Sequence, residues 1–264
     1  MRTTARIRLC LPLIVCLASP VWATEDITDL SQRIELPGYR ADTDALQAMD
    51  TTLQAEIKSA SQSDKYLYYY LGYTEYNLAY AYAHTDTGKA TDHVEDAQTA
   101  LLAALKLDPD FAEAEALLST CYGLEIGLHP FKGMYLGAKT GKHMARAMQL
   151  APGDPRVLLL KGISDFQTPG MFGGDKQRAL QEFHAALVAF DSYQPKDPAA
   201  PSWGKALTYN WLGFTESRTG QTEAARADYA KALALIADYK SVQQRLADLP
   251  PAAATTVRPT GNSL

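Results

Sequence analysis

Residues 206–239 read ALTYNWLGFTESRTGQTEAARADYAKALALIADY, and this stretch decides the fold. Apolar side chains recur three and four residues apart on either side of Gly220. That pattern spells two amphipathic helices joined by a tight turn. Gly213 in the first helix and Ala225 in the second permit an approach that larger side chains would block, with Leu212 and Tyr229 filling the volume beside it and Ala232 further along. The unit is 34 residues long.

The same pattern returns upstream. Tyr70-Leu71-Gly72-Tyr73-Thr74-Glu75 echoes Trp211-Leu212-Gly213-Phe214-Thr215-Glu216, with four of six residues identical. Ala97, Leu101 and Ala104, followed by Pro109, have the spacing of a second helix and its exit. Ala179, Phe183 and Ala186 repeat it, and Met144 and Ala147 do so more loosely. A second echo pairs Gly133-Met134-Tyr135-Leu136-Gly137 with Gly170-Met171-Phe172-Gly173-Gly174. We read it as a lengthened turn inside each hairpin, with glycines allowing tight backbone geometry and the Met and aromatic expected to anchor the turn on the stack.

These residues together resemble the tetratricopeptide repeat family over roughly residues 64–239, as one regular unit and about three irregular ones. The resemblance implies an all-α superhelix, a solenoid of helical hairpins, whose first helices line a concave binding surface. The turn insertions resemble those of exported bacterial members, some of which look like accessory components of transport systems. Helices are expected near 42–60, 64–84, 91–106, 111–125, 137–150, 155–166, 175–190, 204–219, 221–236 and 239–248. The expected organisation is a leader over 1–23, an irregular segment over 24–40, the repeat domain over 41–249 and a flexible tail over 250–264.

Composition narrows the setting. The full chain has 264 residues, a net charge of -5 and 47% apolar residues. Residues 1–23 carry Arg2, Arg6 and Arg8, an apolar run from Leu9 to Ala18, and a small-residue ending at Ala23. That is the pattern of a cleaved secretory signal. Without it, 22 basic and 30 acidic side chains remain, a net charge of -8. The expected location is the periplasm or beyond. Val15 before Cys16 fits poorly with the small residues of a lipoprotein signal. No later run approaches the roughly 20 apolar residues of a bilayer span, so direct transmembrane insertion is not expected. An acidic chain is also poorly suited to displacing phosphate counterions, so no nucleic-acid partner is expected. Cys121 alone follows the leader and has no disulfide partner within the chain.

Chemistry-bearing motifs are sparse. Gly170–Lys176 resembles an anion-binding turn, yet it lacks the full phosphate-loop pattern and a preceding strand. Asp175 is better read as a helix cap. His84, His93, His129, His143 and His184 have no metal-ligand spacing, although His84 and His93 could meet Asp86 or Asp92 across a hairpin. Cys121 sits among Ala and Leu, as a packing thiol does. Glu75 and Glu216 recur beside the Leu-Gly pairs; paired carboxylates can cleave glycosides, but duplication of the repeat explains them first.

The aromatic run says more. Tyr66, Tyr69, Tyr70, Tyr73, Tyr76 and Tyr80 follow helical spacing, while Tyr68 and Tyr82 point elsewhere. Asn210, Trp211, Phe214 and Arg218 supply a similar surface in the regular unit. The resemblance places them near the concave surface. The expectation is therefore noncatalytic recognition of a protein or peptide in the cell envelope, without a cofactor, by a groove of Tyr69, Tyr73, Tyr76, Asn210, Trp211, Phe214 and Arg218. The alternatives are core packing of these aromatics, or a small apolar ligand held for an envelope transporter.

Overall fold

The computed structural model describes residues 30–60, 64–195 and 197–251. The expected leader, residues 24–29 and all but the start of the tail lie outside them. Among the described residues there are eleven α-helices and no strand. In chain order they are α1 (Leu30–Arg40), α2 (Thr43–Ser59), α3 (Lys65–Tyr82), α4 (Thr87–Leu107), α5 (Ala112–Leu128) and α6 (Gly133–Leu150). They continue as α7 (Pro155–Gln167), α8 (Lys176–Ser192), α9 (Lys205–Arg218), α10 (Thr222–Leu235) and α11 (Lys240–Ala247). Four hairpins result, α3/α4, α5/α6, α7/α8 and α9/α10, and each packs on the next.

Local chemistry starts the helices. Asp42, Asp64, Asp86, Asp154 and Asp175 each accept a backbone N–H in the first turn that follows them, satisfying donors that a helix leaves orphaned. Three hairpins are then closed at a glycine. A Cβ on Gly72 would lie 2.7 Å from Leu101 Cγ, one on Gly162 2.6 Å from Phe183 Cε1, and one on Gly213 2.9 Å from the Tyr229 ring. Leu101, Phe183, Leu212 and Tyr229 are buried there, as are Ala97, Ala104, Ala179, Ala186, Ala225 and Ala232, while Leu71 is half-buried against the same core.

Three residues after each of these glycines stands a buried carboxylate: Glu75, Asp165 and Glu216. The first two fasten their first helix to the second, and the third faces another carboxyl across its hairpin. Glu75 Oε2 lies 2.7 Å from His93 Nδ1 in α4. Asp165 accepts two bonds from the Arg178 guanidinium of α8, at 2.7 and 3.0 Å. Glu216 meets Asp228 of α10, which itself accepts from Lys231 at 2.7 Å. Glu125 of α5 instead ties its helix to the connection that follows and to the preceding hairpin, accepting from Lys132 and from Gln98 of α4 at 2.7 Å. Glu75 and Glu216 thus recur as the buried carboxyls that face the second helix of their hairpins.

Two expectations need correction. Residues 30–40 of the segment expected to be irregular form α1, and Leu30 and Ile34 of that helix are fully buried. Of the two Met-aromatic motifs, 133–137 is not a turn but the start of α6, and neither anchors on the stack through its Met and aromatic, because Met134, Tyr135, Met171 and Phe172 are exposed. Backbone contacts hold the second turn instead: Asp175 N–H donates to Asp165 O at 2.9 Å, and a Cβ on Gly174 would fall 1.7 Å from Thr168 O.

Candidate functional site

The first helices α3, α5, α7 and α9 supply the surface on which recognition is expected. Its α3 portion is already covered by two other parts of the chain. One is α1, which packs on α2, α3 and α11. The other is the connector over 197–204, between α8 and α9. Trp203 anchors it. Its ring stacks on Tyr73 at 4.3 Å between centroids, and its indole N–H donates to Tyr69 Oη at 3.0 Å. Tyr70 O–H donates to Ala199 O at 3.0 Å. Ser31 Oγ of α1 lies 2.9 Å from Tyr70 Oη and accepts the Ser202 N–H at 3.0 Å. Glu35 accepts the Gly204 N–H at 2.8 Å and the Tyr39 hydroxyl. Gly204 has φ +116°, a left-handed conformation that favours glycine.

This cover removes water from a polar layer. Burial raises the Glu35 carboxyl above its ordinary range, offset in part by its bonds to Tyr39 and Gly204 and by Arg156. Arg156, fully buried, pairs with Asp154 at 2.9 Å and Glu113 at 3.6 Å and lies 4.1 Å from the Tyr193 ring centre. Burial likewise pushes the Tyr69 and Tyr73 hydroxyls well up.

The groove expected from the sequence is corrected accordingly. Tyr69 and Tyr73 lie beneath Trp203, and Tyr76, Asn210 and Trp211 are buried as well. Asn210 is an internal bracket: its amide donates to Tyr239 Oη at 2.9 Å and its carbonyl accepts from Arg245 at 2.7 Å. Phe214 is half-buried and Arg218 is exposed.

Around those two residues the surface stays open. Phe166 of α7 packs 5.2 Å from Phe214 and 5.7 Å from Trp211, and Trp211 meets Phe214 edge-on at 5.8 Å. Arg245 of α11 lies 4.2 Å over the Phe214 ring, and Lys176 of α8 lies 5.6 Å from the Phe166 centre. Arg218 follows Phe214 by one helical turn. Among the described residues Lys176, Arg218 and Arg245 have no carboxylate partner. The result is an aromatic floor from α7 and α9 ringed by three cations. It suits an anionic group flanked by apolar surface, because guanidinium groups combine aromatic stacking with carboxylate recognition.

Sequence reasoning missed Phe166, Arg245 and Trp203, and met Lys176 only as the end of the 170–176 turn. Of the three, only Trp203 carried a signal, an aromatic between Ser202 and Gly204 in a connector otherwise rich in Ala and Pro. The other titratable candidates are otherwise engaged. His93 holds Glu75, His143 holds Glu115 at 2.5 Å, His129 lies 2.8 Å from Thr91 Oγ1, and Cys121 is buried with its thiol pushed up by burial. Asp175 caps α8 through the Gln177 and Arg178 N–H groups.

No protein-family model matches the chain, and no curated protein does. Solved structures do match. The HusA haemophore from Porphyromonas gingivalis superposes with a TM-score of 0.57 at 22% identity, over 71% of this chain and 94% of that one. A thermophilic TPR protein from Thermus thermophilus superposes with a TM-score of 0.54 at 16% identity, over 83% of this chain and 97% of that one. The fold is therefore a tetratricopeptide-like helical superhelix.

Proposed function

We propose that this chain is a noncatalytic protein- or peptide-binding scaffold of the bacterial periplasm, exported by the leader ending at Ala23. Its partner docks on the half-buried Phe166 and Phe214 rings, which rest on the buried Trp211, between Lys176, Arg218 and Arg245. One observation carries the reading: this is first-helix surface that neither α1 nor the 197–204 connector covers, and it presents aromatic rings and cations without neutralising carboxylates. Such a surface is built before the partner arrives, which lowers the ordering cost of docking. A partner segment with an acidic side chain or terminal carboxylate beside an apolar residue fits it.

The test is site-directed photocrosslinking in the native envelope from the Arg218 position. A discrete crosslinked protein is expected. In a separate affinity-capture comparison, the partner so identified should be retained by the wild-type chain and lost with F214A/R218E. Retention by that variant, with helical content unchanged, refutes the site.

A small apolar ligand is the second reading. It is favoured by a cleft of about 380 Å³ between α1 and α2, with Leu36, Pro37, Ala48 and Met49 among its lining residues and Arg40 at its rim. The haemophore among the structural neighbours makes a porphyrin the first compound to try. A haem titration with no saturable absorbance change would sink that version.

A further inference from the structure

We infer that the turn end of the α5/α6 and α7/α8 hairpins docks peripherally on an anionic phospholipid surface, a contact separate from the partner site proposed above. Phe131 in the α5–α6 connection, Met134 and Tyr135 in the first turn of α6, and Met171 and Phe172 in the α7–α8 connection are between 56 and 91% exposed. Because α5 packs beside α7 in the stack, consecutive turns emerge at the same end. Exposed apolar clusters of this kind mark interaction sites.

The turns are held in place. Lys132, next to Phe131, is tied to Glu125 and lies 3.4 Å from Glu95. Arg178 binds Asp165 twice beneath Met171 and Phe172, and Asp175 caps the helix that follows. Fixed tips of this sort are convex, so whatever receives them must close around them. The boundary between lipid headgroups and acyl chains does so without a preformed pocket.

Charge selects the surface. Residues 126–153 contain no Asp or Glu but carry Lys132, Lys139, Lys142 and Arg146, in a chain of net charge -5. Lys139 and Lys142 follow Tyr135 by four and seven residues, on one helix face about 6 and 10 Å along the axis. Both are exposed, and neither has a carboxylate partner among the described residues. Apolar tips backed by lysines match the interface of an anionic bilayer. No helix among the described residues is long and apolar enough to cross a membrane, which is in keeping with a peripheral contact.

The experiment is cosedimentation of the leaderless chain with vesicles of phosphatidylethanolamine containing about a quarter phosphatidylglycerol, and with phosphatidylcholine vesicles. Binding to the first, weak binding to the second and release by salt are expected. F131S/M134S/M171S/F172S should lower partitioning at least tenfold with an unchanged melting curve, since none of the four side chains belongs to the core. K139A/K142A should lower it about 25-fold, from about fivefold per lysine. F214A/R218E should leave it unchanged, so failure of the partner site and failure of this contact read out separately. Absence of binding to the anionic vesicles overturns the inference, as does wild-type partitioning of either turn-end variant. A protein captured through these turns by a chain that ignores vesicles would overturn it too.

Discussion

Trp203→Ala tests the most consequential feature of the molecule, the covering of its first-helix surface by its own connector. Trp203 is almost fully buried, stacked on Tyr73 and hydrogen-bonded to Tyr69. Truncating a buried tryptophan costs about 3–5 kcal/mol through lost transfer energy and the cavity left behind. The Tyr69 hydroxyl also loses a partner where water does not reach. For a chain of this size each kcal/mol is worth about 2–4 °C in Tm, so thermal unfolding should shift down by roughly 6–20 °C. Phe172→Ala, at an exposed turn, should stay within about 0.5 kcal/mol of wild type. A second readout separates local opening from general weakening: below the transition, tetranitromethane should nitrate Tyr73 in the Trp203→Ala chain and spare it in wild type. If the variant loses less than about 1 kcal/mol and Tyr73 stays protected, Trp203 is not what closes this surface.

Two further predictions concern the hairpins. Gly162→Ala should destabilise by about 1–3 kcal/mol, because the buried Phe183 ring has no room to move, whereas Gly141→Ala, with open space around its Cβ, should stabilise by about 0.5–1 kcal/mol; urea unfolding that ranks the two alike contradicts the close seam. Glu216 has a carboxyl raised to about 7 by burial and by Asp228. The folded chain then binds the proton more tightly than the unfolded chain, so this contribution is complete below about pH 4.5 and fades as pH rises through 7. Glu216→Gln should flatten that slope and raise Tm at pH 8, and an unchanged pH profile would count against the assignment.

What the sequence discloses and what it hides follow from one asymmetry of helical repeats. Packing within a hairpin is local and periodic, so Gly213, Ala225 and Tyr229 announce their roles by spacing alone. The buried carboxyls that face across the hairpins recur at the same offset, and Glu75 and Glu216 were therefore visible as a repeat although the groups they face were not. Whether a first-helix aromatic faces solvent is settled by remote parts of the chain. Tyr69 and Trp203 are 134 residues apart, and Ser31 and Ser202 are 171 apart. Pro37 and Gly38 interrupt the helical signal of α1, so the segment that helps fill the groove reads as irregular. The turns mislead in the opposite direction: Met171 and Phe172 look like core residues by type, but the Gly174 turn and the Arg178–Asp165 pair hold that loop with the two apolar side chains outside. Composition gives the average preference of a residue for the interior. Backbone closure decides where this chain departs from that average, covering Tyr69 and Tyr73 of the tyrosine-rich helix and leaving Met171 and Phe172 outside.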